Sequence, residues 1–86
     1  MSEARFELID SPEALGHALH HARSALGLTQ ERAAELCGVS RRLWSEAESG
    51  RRTQLGFATA LRMINVMGLD VYAGPRGALP ARGRTG

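Results

Sequence analysis

Apolar residues return every three or four positions through most of this chain, and at two short stretches they alternate instead. Leu15, Leu19, Ala22 and Leu26 fall at i, i+4, i+7 and i+11, one face of a first helix. Ser11 can cap it, Pro12 suits its first position, and Gly27 ends it. Thr29 caps a second helix and Ser40 a third. Between them Gly38 sits where a positive φ angle is needed. Within this pair Ala33, Cys37, Val39, Trp44 and Ala47 supply the apolar stripes, and Ala34 is small where the helices must approach. "GRRTQLG", 50 to 56, is a polar loop bounded by glycines. A fourth helix follows with Phe57, Ala60, Leu61, Ile64 and Met67 on its apolar face, Gly56 as a weak cap and Gly68 as its stop. "LDVYA", 69 to 73, alternates and favours a short strand, and "RFELI", 5 to 9, alternates too. The expected fold is all-α: a small bundle of four to five helices with a short C-terminal strand, over residues 1–73. "GPRGALPARGRTG", 74 to 86, has almost nothing to bury and is expected to be a disordered basic tail.

Eighty-six residues make one domain with a thin core, so association with a second copy is a natural source of stability. No apolar run approaches the length of a membrane span, and the acidic start does not resemble a signal peptide. The single Cys37 can form no internal disulfide, which predicts a cytoplasmic protein. The net charge is only +2, but it is unevenly spread. Residues 1–15 carry Arg5 against Glu3, Glu7, Asp10 and Glu13. Residues 38–54 carry Arg41, Arg42, Arg51 and Arg52 against Glu46 and Glu48, and the tail carries three arginines and no acid. Either a face for a polyanion or an ordinary solvated surface accounts for charge alone.

The pair of helices changes that balance. Two short helices, a glycine turn between them and arginines opening the second form the pattern of a DNA-binding helix-turn-helix. "LTQERAAELCGVSRRLWSEAESG" resembles the Cro/C1-type (XRE) helix-turn-helix family, matching its pattern at Gln30, Ala34, Gly38, Val39, Ser40, Ser45, Glu48 and Gly50. From about Leu15 to Tyr72 the chain is most similar to the HipB-like antitoxin branch. Trp44 stands where the family has Ile or Val, and Ala47 where it has Leu. The two changes trade volume one helical turn apart, which a core tolerates better than either alone. The resemblance implies a lambda repressor-like fold and a homodimer tied by the strand after the last helix, through Leu69, Val71 and Tyr72. It also implies repression at a double-stranded operator with half-sites about 34–36 Å apart. An antitoxin of this branch also restrains a HipA-like kinase toxin from the same type II toxin-antitoxin operon. A stand-alone regulator, and a protein-interaction module on the same fold, are the alternatives.

Arg41 and Arg42 open the third helix, whose first turn faces base edges in this geometry. The guanidinium fork suits guanine O6 and N7, and the helix dipole gives no reason to put cations there. Ser45 lies one turn on and can bond a base, and Ser40, the cap, stands on the same DNA-binding face. Thr29 and Gln30 start the second helix, where free N–H groups suit a phosphate, and Gln30 resembles the family's DNA contact. Arg51 and Arg52 are expected on phosphates. Arg23 and Glu48 match a pair that forms a partly buried salt bridge in relatives. His17, His20 and His21 have helical spacing, but no Cys, Asp or Glu of suitable spacing joins them, so no metal is expected. No nucleophile–base pair or phosphate loop is visible; neither an enzyme nor a cofactor is expected.

Overall fold

The computed structural model describes residues 6–78. Four helices follow in order: α1 Pro12–Ala25, α2 Gln30–Cys37, α3 Arg41–Glu48 and α4 Phe57–Val66. Each of the first three starts on a hydroxyl that accepts a backbone N–H three residues on, at 3.0 Å: Ser11 from Ala14, Thr29 from Arg32 and Ser40 from Leu43. Gly56 begins α4 with no side-chain cap. α3 packs on both α1 and α2, and α4 packs on α2. The turn between α2 and α3 is made by Gly38 at φ 71°, where a side chain would be strained.

The core is Leu19 from α1, Ala33, Ala34 and Cys37 from α2, Trp44 and Ala47 from α3, and Met63, Ile64 and Met67 from α4 and its end. Trp44 and Ala47 are both buried, so the large-for-small exchange sits inside the core. The residues that follow the helix-ending turns, Leu28, Val39 and Leu69, fold back against it. Burial raises the Cys37 thiol pKa, against a smaller lowering by Arg62, and its backbone carbonyl accepts from Arg62 Nε at 2.7 Å.

Several expectations fail here. No strand forms among the described residues, which hold four of the expected four to five helices and no fifth. Residues 69–73 are irregular instead and leave a helix-ending turn: Gly68 has φ 88°, its N–H reaches the Asn65 carbonyl at 3.0 Å, and the Leu69 N–H reaches Ile64 at 3.0 Å. Leu69 is apolar because it covers the helix end, and Asn65 Nδ2 donates to its carbonyl at 2.9 Å. Val71 and Tyr72 are exposed, so the alternation reflects one buried residue followed by solvent. Residues 6–9 are not a strand either; they meet the C-terminal segment by side chains, with the Phe6 and Tyr72 rings 5.8 Å apart. Arg5, also in that stretch, lies outside the described residues. Phe57 is 74% exposed, because the face of α4 that packs is the one carrying Met63 and Ile64. Leu26 caps α1 and is exposed as well. Of the tail, residues 74–78 include a turn closed by Ala78 N–H to Pro75 O at 2.9 Å, and 79–86 lie outside the described residues.

Candidate nucleic-acid interface

α3 turns Trp44 and Ala47 inward, so Arg42, Ser45 and Glu46 fall on its other side. Arg41 and Arg42 occupy the first two positions of the helix, and Arg42 is 87% exposed. Leu43 packs against the core. Ser40 and Thr29 use a lone pair each in capping, which leaves each hydroxyl a proton to donate. Arg51 and Arg52 follow α3 on the exposed loop, their backbone N–H groups bonded to the Glu46 carbonyl at 3.0 and 3.3 Å.

The arginines differ in what holds them. Arg42 Nε donates to Glu46 at 3.2 Å and Arg52 Nη1 donates to the other oxygen of Glu46 at 2.9 Å. Arg41 and Arg51 have no acidic partner among the described residues. Glu46, Arg51, Arg52, Thr53 and Gln54 line a shallow polar hollow beside the end of α3. The Arg52 bond, then the Arg42 bond, lowers the Glu46 carboxyl pKa below its ordinary value.

Behind this face lies a second polar centre built on Glu48, whose side chain is 6% exposed. Arg23 of α1 donates to it through Nε, and through Nη2 at 3.1 Å. Trp44 Nε1 donates at 2.6 Å and Gln30 Nε2 at 3.0 Å. His20 Nδ1 stands 3.3 Å from Glu48 Oε1 and 3.2 Å from Arg23 Nη2. Burial alone would raise the Glu48 carboxyl; the bonds from Arg23, Gln30, Trp44 and His20 outweigh it and bring the pKa down to about 2. Arg23 also donates through Nη1 to the Leu28 carbonyl at 2.8 Å. Three helices thus meet at one carboxylate, and Arg23 ties the α1–α2 connection to it, which fixes α3 relative to α1 and α2.

Gln30 is part of this centre rather than simply an outward DNA group: its amide nitrogen is held by Glu48, so a DNA contact would use what remains of the amide. Two participants carry little sequence signal as members of these networks. Trp44 is legible as core, but its indole bond needs the Trp–Glu spacing of i and i+4 on one helix. Glu46 stands between two arginine pairs in the sequence, but that it bonds one arginine of each shows only once both pairs are on one face.

Helices, turn and an exposed arginine-bearing α3 define a helix-turn-helix protein of the DNA-binding regulator fold. The sequence model of a helix-turn-helix domain matches residues 14–72, and the chain belongs to that family, among XRE-type regulators. The chain is 33% identical to the clp gene regulator ClgR from C. glutamicum, over 70% of this chain and 76% of that one, with a TM-score of 0.64. It is 27% identical to the restriction-modification controller protein C.AhdI from Aeromonas hydrophila, over 69% and 84%, with a TM-score of 0.62. HipB in a complex with an O4 20mer shares its fold at a TM-score of 0.71, with 22% identity over 83% of this chain and 99% of that one. No curated protein matches the chain. Among the described residues no helix is long and apolar enough to cross a membrane.

Proposed function

We propose that this protein is a sequence-specific, DNA-binding transcriptional repressor that acts as a homodimer, with α3 in the major groove. The observation that carries this is the outward face of α3: Arg41 and Arg42 in its first turn, with only Arg42 held by an acid, and Arg51 and Arg52 just beyond its end. Cations at a helix N-terminus oppose the helix dipole, and an external polyanion offsets that cost. Arg42, and Arg41 beside it, would read guanine; Ser45 would contact a neighbouring base edge. Arg51, Arg52, Ser40, Thr29 and the remaining amide groups of Gln30 would hold phosphates and set register.

Arg42→Ala is expected to cost about 1–3 kcal/mol on the duplex the protein selects and to relax base preference at one position. Arg51→Ala is expected to weaken every duplex alike and lower the salt slope by about 1. Titrations across a salt series check both, and wild-type binding by both variants would remove this face from the interface.

Phe57, Val66, Val71 and Tyr72 are exposed on α4 and its exit, and they supply apolar surface for the dimer, with Leu69 beneath. A second role, restraint of a HipA-like kinase toxin, is favoured by the match to nearly the whole of HipB, a protein also solved in a HipA–HipB–O2–O3 complex with a TM-score of 0.70 to this chain. One sedimentation experiment addresses both. The chain alone is expected at twice its monomer mass, and a stand-alone regulator stays there when a HipA-like kinase from the neighbouring reading frame is added. A heavier complex identifies the antitoxin, and a monomer alone rejects the dimer.

A further inference from the structure

Glu46 is the one acid on the outward side of α3, and two arginines of the proposed interface converge on it. Its backbone is anchored as well: the carbonyl accepts from Ser49 Oγ at 3.0 Å and from the N–H groups of Arg51 and Arg52. The side chain is only 22% exposed, against 87% for Arg42 and 39% for Arg52. The two bonds use the arginines differently. Arg42 gives Nε, which leaves its terminal Nη1/Nη2 fork undivided and directed by the carboxylate. Arg52 gives Nη1, one of the groups a phosphate would take.

We propose that Glu46 is a positioning and specificity-determining residue: it aims the Arg42 fork at a guanine and holds Arg52 back from DNA phosphates. This rests on α3 being the DNA-reading helix. Two guanidinium groups sharing one carboxylate present less charge to a passing backbone than two free ones. A non-cognate duplex offers only phosphate contacts, so the loss falls most heavily there. At a cognate site the base contacts of an oriented Arg42 offset the exchange of Arg52 from carboxylate to phosphate. Because the carboxylate is held by Arg52 and then Arg42, with its pKa lowered, it stays ionised wherever binding is measured near neutrality.

The test is Glu46→Gln, which keeps the backbone anchor and the side-chain length and removes the charge. Two probes are used: a pool of random-sequence duplexes about two helical turns long, and the duplex that the wild-type protein selects from that pool. The variant is expected to bind the random pool about tenfold more tightly at low salt, with a slope steeper by about 1. Affinity for the selected duplex is expected to change less than about threefold, so discrimination falls. Surface pairs of this kind stabilise little, and the melting temperature is expected to stay near wild type. Equal changes on both probes, or none, overturn the proposal. A loss on the selected duplex with the random pool unchanged also overturns it, because Glu46 would then not hold Arg52 back from phosphates. An Arg41→Ala/Arg42→Ala variant run alongside separates the two levels. If it binds both probes as wild type, the assigned DNA face is wrong, whereas a weakened double variant beside an unaltered Glu46→Gln rejects the role of Glu46 alone.

Discussion

Replacing Glu48 with alanine is expected to cost about 3–5 kcal/mol, a large share of the 5–15 kcal/mol that holds a small domain together. The carboxylate is the shared acceptor for Arg23, Gln30 and Trp44, and all three donors lose it at once. The Arg23 side chain is 14% exposed and Trp44 is fully buried, so neither can simply turn to water. Removing Arg23 is expected to cost less, because Glu48 keeps the amide and the indole. A variant lacking both charges should recover part of the Glu48→Ala loss, since no charge is left stranded. Urea melts of the four proteins give the coupling, and its absence would mean that the two residues act independently. The same carboxylate sets an acid limit. Its pKa of about 2 lies below the 4.5 of an unperturbed glutamate, so its contribution is complete above about pH 4.5 and is lost as pH falls toward 2. That difference corresponds to about 3 kcal/mol. Subtracting the Glu48→Ala stability curve from the wild-type curve isolates this limb from the titration of Glu46. A flat difference between pH 4.5 and 2 would remove the depressed carboxyl.

The parts of this molecule that follow from neighbours in sequence are legible in it. Ser11, Thr29 and Ser40 cap helices because a hydroxyl reaches its own backbone three residues on. Gly38 marks a turn because its φ excludes most other residues. Arg41, Arg42, Arg51 and Arg52 can be placed near the third helix on the same grounds. What depends on distant partners is not legible. Alternation at 69–73 suggests a strand, yet a strand is defined by a second backbone, and among the described residues none is paired there. The apolar face of α4 depends on which way the helix rolls against α2, and Phe57 lies on the side that α2 does not cover. The Glu48 centre is half visible. The family resemblance pairs it with Arg23, and Trp44 stands one turn before it on the same helix, but Gln30 joins only once α2 and α3 have converged.

Gly16 belongs to the same illegible class, and changing it tests the convergence directly. In the sequence it is an ordinary glycine inside a helix, where alanine would stabilise by about 0.5–1 kcal/mol. In the structure it is buried, and α1 passes so close to α3 that a Cβ there would stand 2.7 Å from the Ala47 carbonyl oxygen and 2.9 Å from the Glu48 carbonyl carbon. These neighbours are backbone atoms and cannot rotate aside. Gly16→Ala is therefore expected to destabilise, by about 1–3 kcal/mol after the helix gain is counted. The way it does so matters more than the amount. α1 must move off the C-terminal end of α3, the helix end that carries Glu48, while Arg23 sits two turns along α1. The shift is expected to loosen the Arg23–Glu48 pair, so the acid limb should shrink in this variant although both charges remain. It should also turn α3, and binding of the selected duplex should fall with every DNA-facing residue intact. Urea melts at neutral and acid pH, with a titration of the duplex, read all three effects. A Gly16→Ala protein more stable than wild type, with an undiminished acid limb, would show that α1 and α3 do not touch at this point.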